Sequence, residues 1–586
     1  LAIGYQSLDA LTEAFDNIAI GYDALGASSS TQAHRNIAIG TEALKSLNAN
    51  GQENIAIGKE ALKTANHADV DGNIAIGNYV LDAVGNAGVW ACVGLGHNAL
   101  TSVNHADAVG STAIGYYSLS SLTSGIANTA VGYDSLKTNQ EGDYNTAVGF
   151  SSMSALNGGT QNTAHGMNSL HRVTSGSYNT AIGVASLEDI TTTSNNTAVG
   201  RQSGFYSVGA DNTYIGYQSG LGSDGSGADN SNTAVGYQSL TAITTGDNNV
   251  AIGNSAGSSL TTGGNSVMIG NDAGASIVDS WYHVLIGDHA GTLDLSQHGT
   301  TSVGYYSLSN LTSGLGNVAL GFQAGQFITS GASSTFIGYQ TGQGITGAKL
   351  TGNANTAVGR QAGFLLQGSA GGNTLLGYLT GDSITTGTNN TLLGQGADTD
   401  DATATNQTVI GQGATGVADN SVTLGNASVT DVYASQDGGA FIHATGIKFP
   451  ATQNASSGAN ALDDYEEGTW TPVIEFGGNA VDVAYGAQLG KYTKIGNTVF
   501  IEARLVLTNN GSSTGTALIL GLPFTHSSTP TTISLGIRTG VTQERNSWAM
   551  VAGNGTWMNL YDGQNALSNS TVTDTADIMI NGSYQV

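Results

Sequence analysis

Nine residues, Asn232-Thr233-Ala234-Val235-Gly236-Tyr237-Gln238-Ser239-Leu240, constrain this chain more than any other feature, because versions of them recur from residue 1 to about Gly425. Earlier versions place Asn17 before Gly21 and Asn145 before Gly149, and a later one places Asn355 before Gly359. There are about 25 copies, most often 17 residues apart from Gly to Gly. A fixed period of this size signals stacked supersecondary units, each touching only its neighbours. About three quarters of the 586 residues therefore form one array rather than a set of globular domains.

Each repeat reads as two short strands and two turns. The first strand is Asn-Thr-Ala-Val-Gly, with branched residues on alternate positions, so one face is branched and apolar (Ile18, Ile20) and the other small (Ala19, Gly21). The second is Ser/Ala-Leu with a further apolar residue, as in Leu119-Ser120-Ser121-Leu122, and Thr-Ser-Gly closes the coil. A helix is excluded because Gly, Asn and Thr recur in every unit. Stacking places like residues about 4.8 Å apart, so the Asn slot becomes an amide ladder. The slot after Gly becomes a column rich in aromatics, including Tyr116, Tyr133, Phe150, Tyr237 and Tyr339.

Proline marks the boundary. Pro450, Pro472, Pro523 and Pro530 all follow the array, whose stacked strands cannot accept a residue without an N–H. The chain divides into an all-β parallel solenoid shaft at 1–425, a neck at 426–465, and a tip at 466–586 of one β-sandwich or jelly roll.

Composition excludes several function classes. Only 10% of residues are charged and the net charge is −27, with no basic stripe to neutralise phosphates, which argues against nucleic acid and anionic membranes. A single cysteine, Cys92, excludes an intrachain disulfide framework, and its place in the Asn slot reads as structural. No apolar run reaches transmembrane length. Residue 1 falls inside a repeat, so we expect the chain to begin within a longer gene product.

Two resemblances follow. The repeat is similar to the head repeat of trimeric autotransporter adhesins, although the 17-residue step is longer than the usual coil of those heads. Repeats of this wording also resemble those of phage tail-fibre proteins. The blocks Gly446-Ile447-Lys448-Phe449-Pro450, Tyr465-Glu466-Glu467-Gly468-Thr469-Trp470-Thr471-Pro472, Tyr492-Thr493-Lys494-Ile495-Gly496-Asn497 and Gly521-Leu522-Pro523-Phe524 look like the C-terminal region of phage tail fibres. The resemblance implies a left-handed, homotrimeric solenoid and a virion location. Its implied partners are the chain itself, other tail or fibre proteins through an upstream part, and a host-surface glycan or protein. The alternative is a bacterial trimeric adhesin or extracellular filament on the cell surface, though heptads for a stalk are missing.

No catalytic constellation, phosphate loop or zinc-spaced Cys/His set is present, so neither enzyme activity nor a cofactor is expected. A polysaccharide-cleaving spike lacks its recurrent carboxylate pair. Ice binding would need more than one regular Thr column. His165 replaces Val or Ile on the repeat grid. At a threefold axis it would bring three imidazoles together for a metal or anion, and otherwise it is a tolerated substitution. His67 and His105 fall in insertion loops. The aromatic column could stack on sugars or serve as a structural ladder. Trp548, Trp557 and Tyr561 of the tip are candidates for receptor contact, with a core position expected for at least one Trp.

Overall fold

The structure is a computed structural model. It describes residues 1–27, 32–47, 50–67, 69–85, 88–225, 227–293, 298–433, 465–527, 529–541, 547–551 and 554–586. The chain divides into two compact units, Leu1–Val432 and Tyr433–Val586. Residues 434–464 of the expected neck lie outside the described residues. All regular structure among them is β.

The first unit is a parallel β-solenoid. Its 25 strands run from β1 (Ala2–Ile3) to β25 (Val422–Leu424), each paired in parallel with the strand of the next coil. Register follows the repeat: Thr163, Ala164 and His165 lie beside Thr180, Ala181 and Ile182. The 24 steps between 25 strands at about 4.8 Å make a stack roughly 115 Å long.

The small face of each strand points inward, and the branched face points out. In the coil of Gly236, Ala234, Ser239, Leu240 and Ile243 fill the interior with Asn232, all essentially unexposed. Val235 and Thr233 on the other face are half-buried. The grid glycine is obligatory: Gly236 has φ +136°, and a Cβ there would collide with the Gly253 carbonyl of the next coil.

Each coil has one strand, not the two expected from sequence. Leu119-Ser120-Ser121 is a turn because alternate residues, Tyr117 at φ 54° and Leu119 at φ 50°, are left-handed. An extended run cannot include such residues. The turn backbone still bonds between coils: the Leu119 N–H donates to Ser135 O at 3.0 Å and Ser121 to Lys137 O at 3.1 Å.

The core obeys a size exchange. Ten coils pair Ala on the strand with Leu in the turn, as Ala234 with Leu240. Where the strand residue is large, the turn residue is glycine: Phe336 lies against Gly325 and Gly342, and Tyr214 against Gly204 and Gly220. Ala198 and Ala319 are themselves followed by Gly204 and Gly325, and the ring of the next coil, Tyr214 or Phe336, packs beside these glycines.

The second unit is one antiparallel sheet of ten strands: β26 (Tyr465–Trp470), β27 (Val473–Phe476), β28 (Val483–Ile495), β29 (Thr498–Asn510), β30 (Ala517–Leu520), β31 (Thr531–Val541), β32 (Ser547–Val551), β33 (Trp557–Asp562), β34 (Asn565–Ala566) and β35 (Val572–Gln585). The order is β26-β28-β29-β35-β31-β32-β33-β30-β27, with β34 beside β33. The two edge strands, β26 and β27, are consecutive in the chain and joined only by Thr471 and Pro472. The sheet therefore curls into a half-barrel around one core that includes Ile474, Phe476, Leu505, Leu560 and Tyr584. The tip is all-β as expected, with one curled sheet in place of two stacked ones.

Candidate functional surfaces

The shaft carries three ladders. Inside, each Asn staples neighbouring coils. The Asn145 backbone N–H and side-chain amide both donate to Asn128 Oδ1, at 3.0 and 3.2 Å, and the same amide donates to Gly159 O at 2.9 Å. Asn162 repeats the set on Asn145. Asn355 continues it against the hydroxyl of Ser334. These buried amides are fully engaged, which is the condition for burying them at all. Cys92 takes the slot as expected: its N–H donates to Asn73 Oδ1 at 3.0 Å, and burial pushes its thiol up to about 11.

Outside, the residue after the grid glycine forms the aromatic column. Tyr116, Tyr133 and Phe150 stack at 5.4 and 5.2 Å with rings within 7° of parallel. Tyr305, Phe322 and Tyr339 do the same at 5.2 and 5.1 Å. The column continues with Arg360, whose guanidinium lies 5.6 Å from the Tyr339 ring and 5.5 Å from that of Tyr378. Ring faces meet ring faces along the stack, so the column offers edges to solvent. Sugar stacking needs a free face, and the geometry supports the structural-ladder reading. A glutamine ladder runs beside it, with Gln238 Nε2 donating to Gln218 Oε1 at 2.9 Å and Gln340 to Gln323 at 2.9 Å.

The third column, immediately before the glycine, is the most telling. From Ile3 to Leu424 it is Ile, Val or Leu in every coil except at His165. None of these side chains is buried: Ile182 is 42% exposed, Leu320 47% and Leu376 47%, while others such as Val199 and Val235 are half-buried. His165 is exposed among them, beside Val148 and Ile182. Among the described residues no group of three or more His, Cys, Asp or Glu side chains could hold a metal ion.

In the tip, Trp548 and Tyr561 lie directly opposite each other on β32 and β33 and stack at 4.5 Å and 13°. The Trp548 indole N–H donates to Gly563 O at 2.9 Å. Trp557 meets His526 edge-on at 6.1 Å. All three candidates are half-buried on the outward face, alternating with buried Ala549, Met558 and Leu560. Neither Trp548 nor Trp557 enters the core. The buried indole is Trp470, 7% exposed, on β26.

Sequence reasoning missed a polar knot in the shaft. Ser207 Oγ donates to Asp229 Oδ1 at 2.9 Å, the Tyr214 hydroxyl donates to Asp229 Oδ2 at 2.6 Å, and the Gly209 N–H donates to Oδ1 at 3.2 Å. Burial lifts the Asp229 carboxyl to about 6. Tyr at an Ala position of the repeat was the visible signal, because a buried phenol needs a partner. No described helix is long and apolar enough to cross a membrane. In comparisons with known proteins, no family model and no curated sequence matches this chain.

Proposed function

We propose that this chain is a structural fibre protein of a phage tail, whose solenoid is a spacer and whose C-terminal unit attaches to a host-surface glycan or protein. The observation that carries the reading is the unshielded aliphatic column before the grid glycine, maintained through 25 strands with one exception. A column of this length left in water is the mark of an interaction surface. Covering the exposed part of these side chains is worth up to about 1 kcal/mol per coil. Identical copies placed side by side in register would cover it along its whole length, because only another such shaft repeats at the same spacing.

In this reading three copies assemble with left-handed coils, as in the repeats the sequence resembles. An upstream part joins them to other tail or fibre proteins, and the assembly is extracellular on the virion. The attachment role falls to the C-terminal unit because its outward face carries the Trp548–Tyr561 pair and Trp557, and half-exposed aromatics are efficient contact residues. No enzymatic step and no cofactor belong to this reading.

A second reading, a bacterial trimeric adhesin or extracellular filament, draws on the adhesin-like wording of the repeat. Electron microscopy of the native source with an antibody against residues 466–586 separates the two. Label at the distal ends of virion fibres is the expected result. Label on cell surfaces or on free filaments without virions would overturn the tail-fibre reading.

A further inference from the structure

The outward face of β26, β28, β29 and β35 carries a cleft of about 540 Å³, away from the Trp548–Tyr561 pair on β32 and β33. The strand register makes it. Thr469 lies opposite Lys491, and Lys491 opposite Glu502. In the neighbouring row Leu489 lies opposite Arg504, and Arg504 opposite Met579. Leu489 is 64% exposed and Met579 39%, so the cleft has apolar walls open to solvent. Its floor is rigid. A Cβ on Gly490 would sit 2.6 Å from Trp470 O and 2.7 Å from the indole ring, so the strands close tightly beneath it.

The charged groups are of two kinds. Arg504 is committed: its guanidinium donates to both Asp577 carboxylate oxygens, at 3.0 and 2.8 Å, and holds that carboxyl below its usual range. Lys491 and Glu502 are not. They face each other across an antiparallel pair, where opposite Cβ atoms stand about 4.5–5.5 Å apart. Neither side chain forms an ion pair or hydrogen bond among the described residues. A strong donor and a strong acceptor thus stand side by side, available, between two apolar walls.

This arrangement selects its ligand by chemistry. With Arg504 neutralised by Asp577, which lies outside the lining, Lys491 and Glu502 are left to balance each other on a chain of net charge −27. A charged ligand would leave one of the free groups opposed by its own sign. Adjacent hydroxyls satisfy both, one donating to Glu502 and its neighbour accepting from Lys491, while a ring's C–H face lies on Leu489 and Met579. The volume is within the range of small-ligand sites. We propose that this cleft binds a neutral saccharide unit. The inference rests on the attachment reading above for the source of the saccharide, and on the cleft alone for its chemistry.

The test uses the full chain. Maltotriose, cellotriose, mannotriose and chitotriose are titrated in turn, with saturation-transfer NMR and calorimetry as readouts. At least one is expected to bind, and Lys491→Ala and Glu502→Gln are each expected to weaken it about tenfold or more, the scale of one charge-assisted hydrogen bond. Trp548→Ala is measured alongside them. No binding of any of the four overturns the proposal, as does binding that neither cleft variant alters. Binding lost only in Trp548→Ala would overturn the cleft while leaving the attachment reading standing. Both cleft positions are exposed sheet residues, and an unchanged circular dichroism spectrum establishes that each variant is folded.

Discussion

Inside the shaft the Tyr214 phenol donates a 2.6 Å hydrogen bond to Asp229, joining a strand residue to an acid 15 positions later in the chain. The pair is what a tyrosine costs at a position built for alanine. Gly204 and Gly220 make room for its ring, and Asp229 takes its hydroxyl. The ring, the glycines and the carboxyl form one unit, and it titrates.

The Asp229 carboxyl stands at about 6 against an ordinary 3.8, because burial disfavours its charge. Its stabilising contribution is full below pH 3.8 and is lost as pH rises through 6. The size of the loss is roughly 3 kcal/mol. Asp229→Asn, which cannot ionise, is expected to remove this component, measured as hydrogen exchange of the Gly209 and Ser231 amides between pH 4 and 8.

His283 works in the opposite direction. It occupies an Asn slot, with Nδ1 accepting from the Thr300 N–H at 3.3 Å and Nε2 in contact with Ser280 Oγ at 2.8 Å. Burial, with a smaller contribution from nearby His298, lowers it from 6.5 to about 4. Its contribution is full above pH 6.5 and is lost as pH falls through 4, again by roughly 3 kcal/mol. The two linkages oppose each other in the same window. Relative to the wild type, we expect the melting temperature to fall more with acid between pH 4 and 6 in Asp229→Asn. In His283→Asn it should fall as pH rises.

The size exchange predicts a compensated pair. Phe336→Ala empties the core at one level and is expected to cost about 3–5 kcal/mol. Gly342→Leu alone overfills it, since a side chain there meets the Phe336 ring. The double variant recreates the Ala–Leu pairing of the Ala234–Leu240 coil at a φ of 55°, close to the 49° of Leu240. Its stability is expected to exceed that of either single variant, a coupling read directly from a double-mutant cycle of denaturation midpoints.

Gly236→Val tests the grid glycine. Its Cβ would strike the Gly253 carbonyl, and its φ of +136° suits glycine alone. A loss of roughly 3 kcal/mol or more is expected. It should be concentrated in the coils next to Gly236, because each coil contacts only its neighbours.

Much of this was legible from the repeat. Asn17, Asn145, Asn232 and Asn355 are buried, and Gly21, Gly149, Gly236 and Gly359 have φ of 134–139°, because a period repeated 25 times fixes one environment per slot. The left-handed Leu119 was not legible: leucine normally avoids φ 50°, so its run looked like a second strand. The tip lacks a period, and its alternation fits stacked sheets and one curled sheet equally well. The facing of Lys491 and Glu502 depends on strand register, which no local pattern reveals. Asp229 sits in an insertion whose only cue is the tyrosine it serves.

The central claim is that the aliphatic column is covered by copies of the same chain. Sedimentation equilibrium of the full chain measures this most directly. A single species at three times the 59.1 kDa chain mass, with dissociation shifted to higher concentration by Ile182→Asp together with Ile252→Asp, is the predicted result. A stable 59.1 kDa monomer in the unaltered protein would contradict the account.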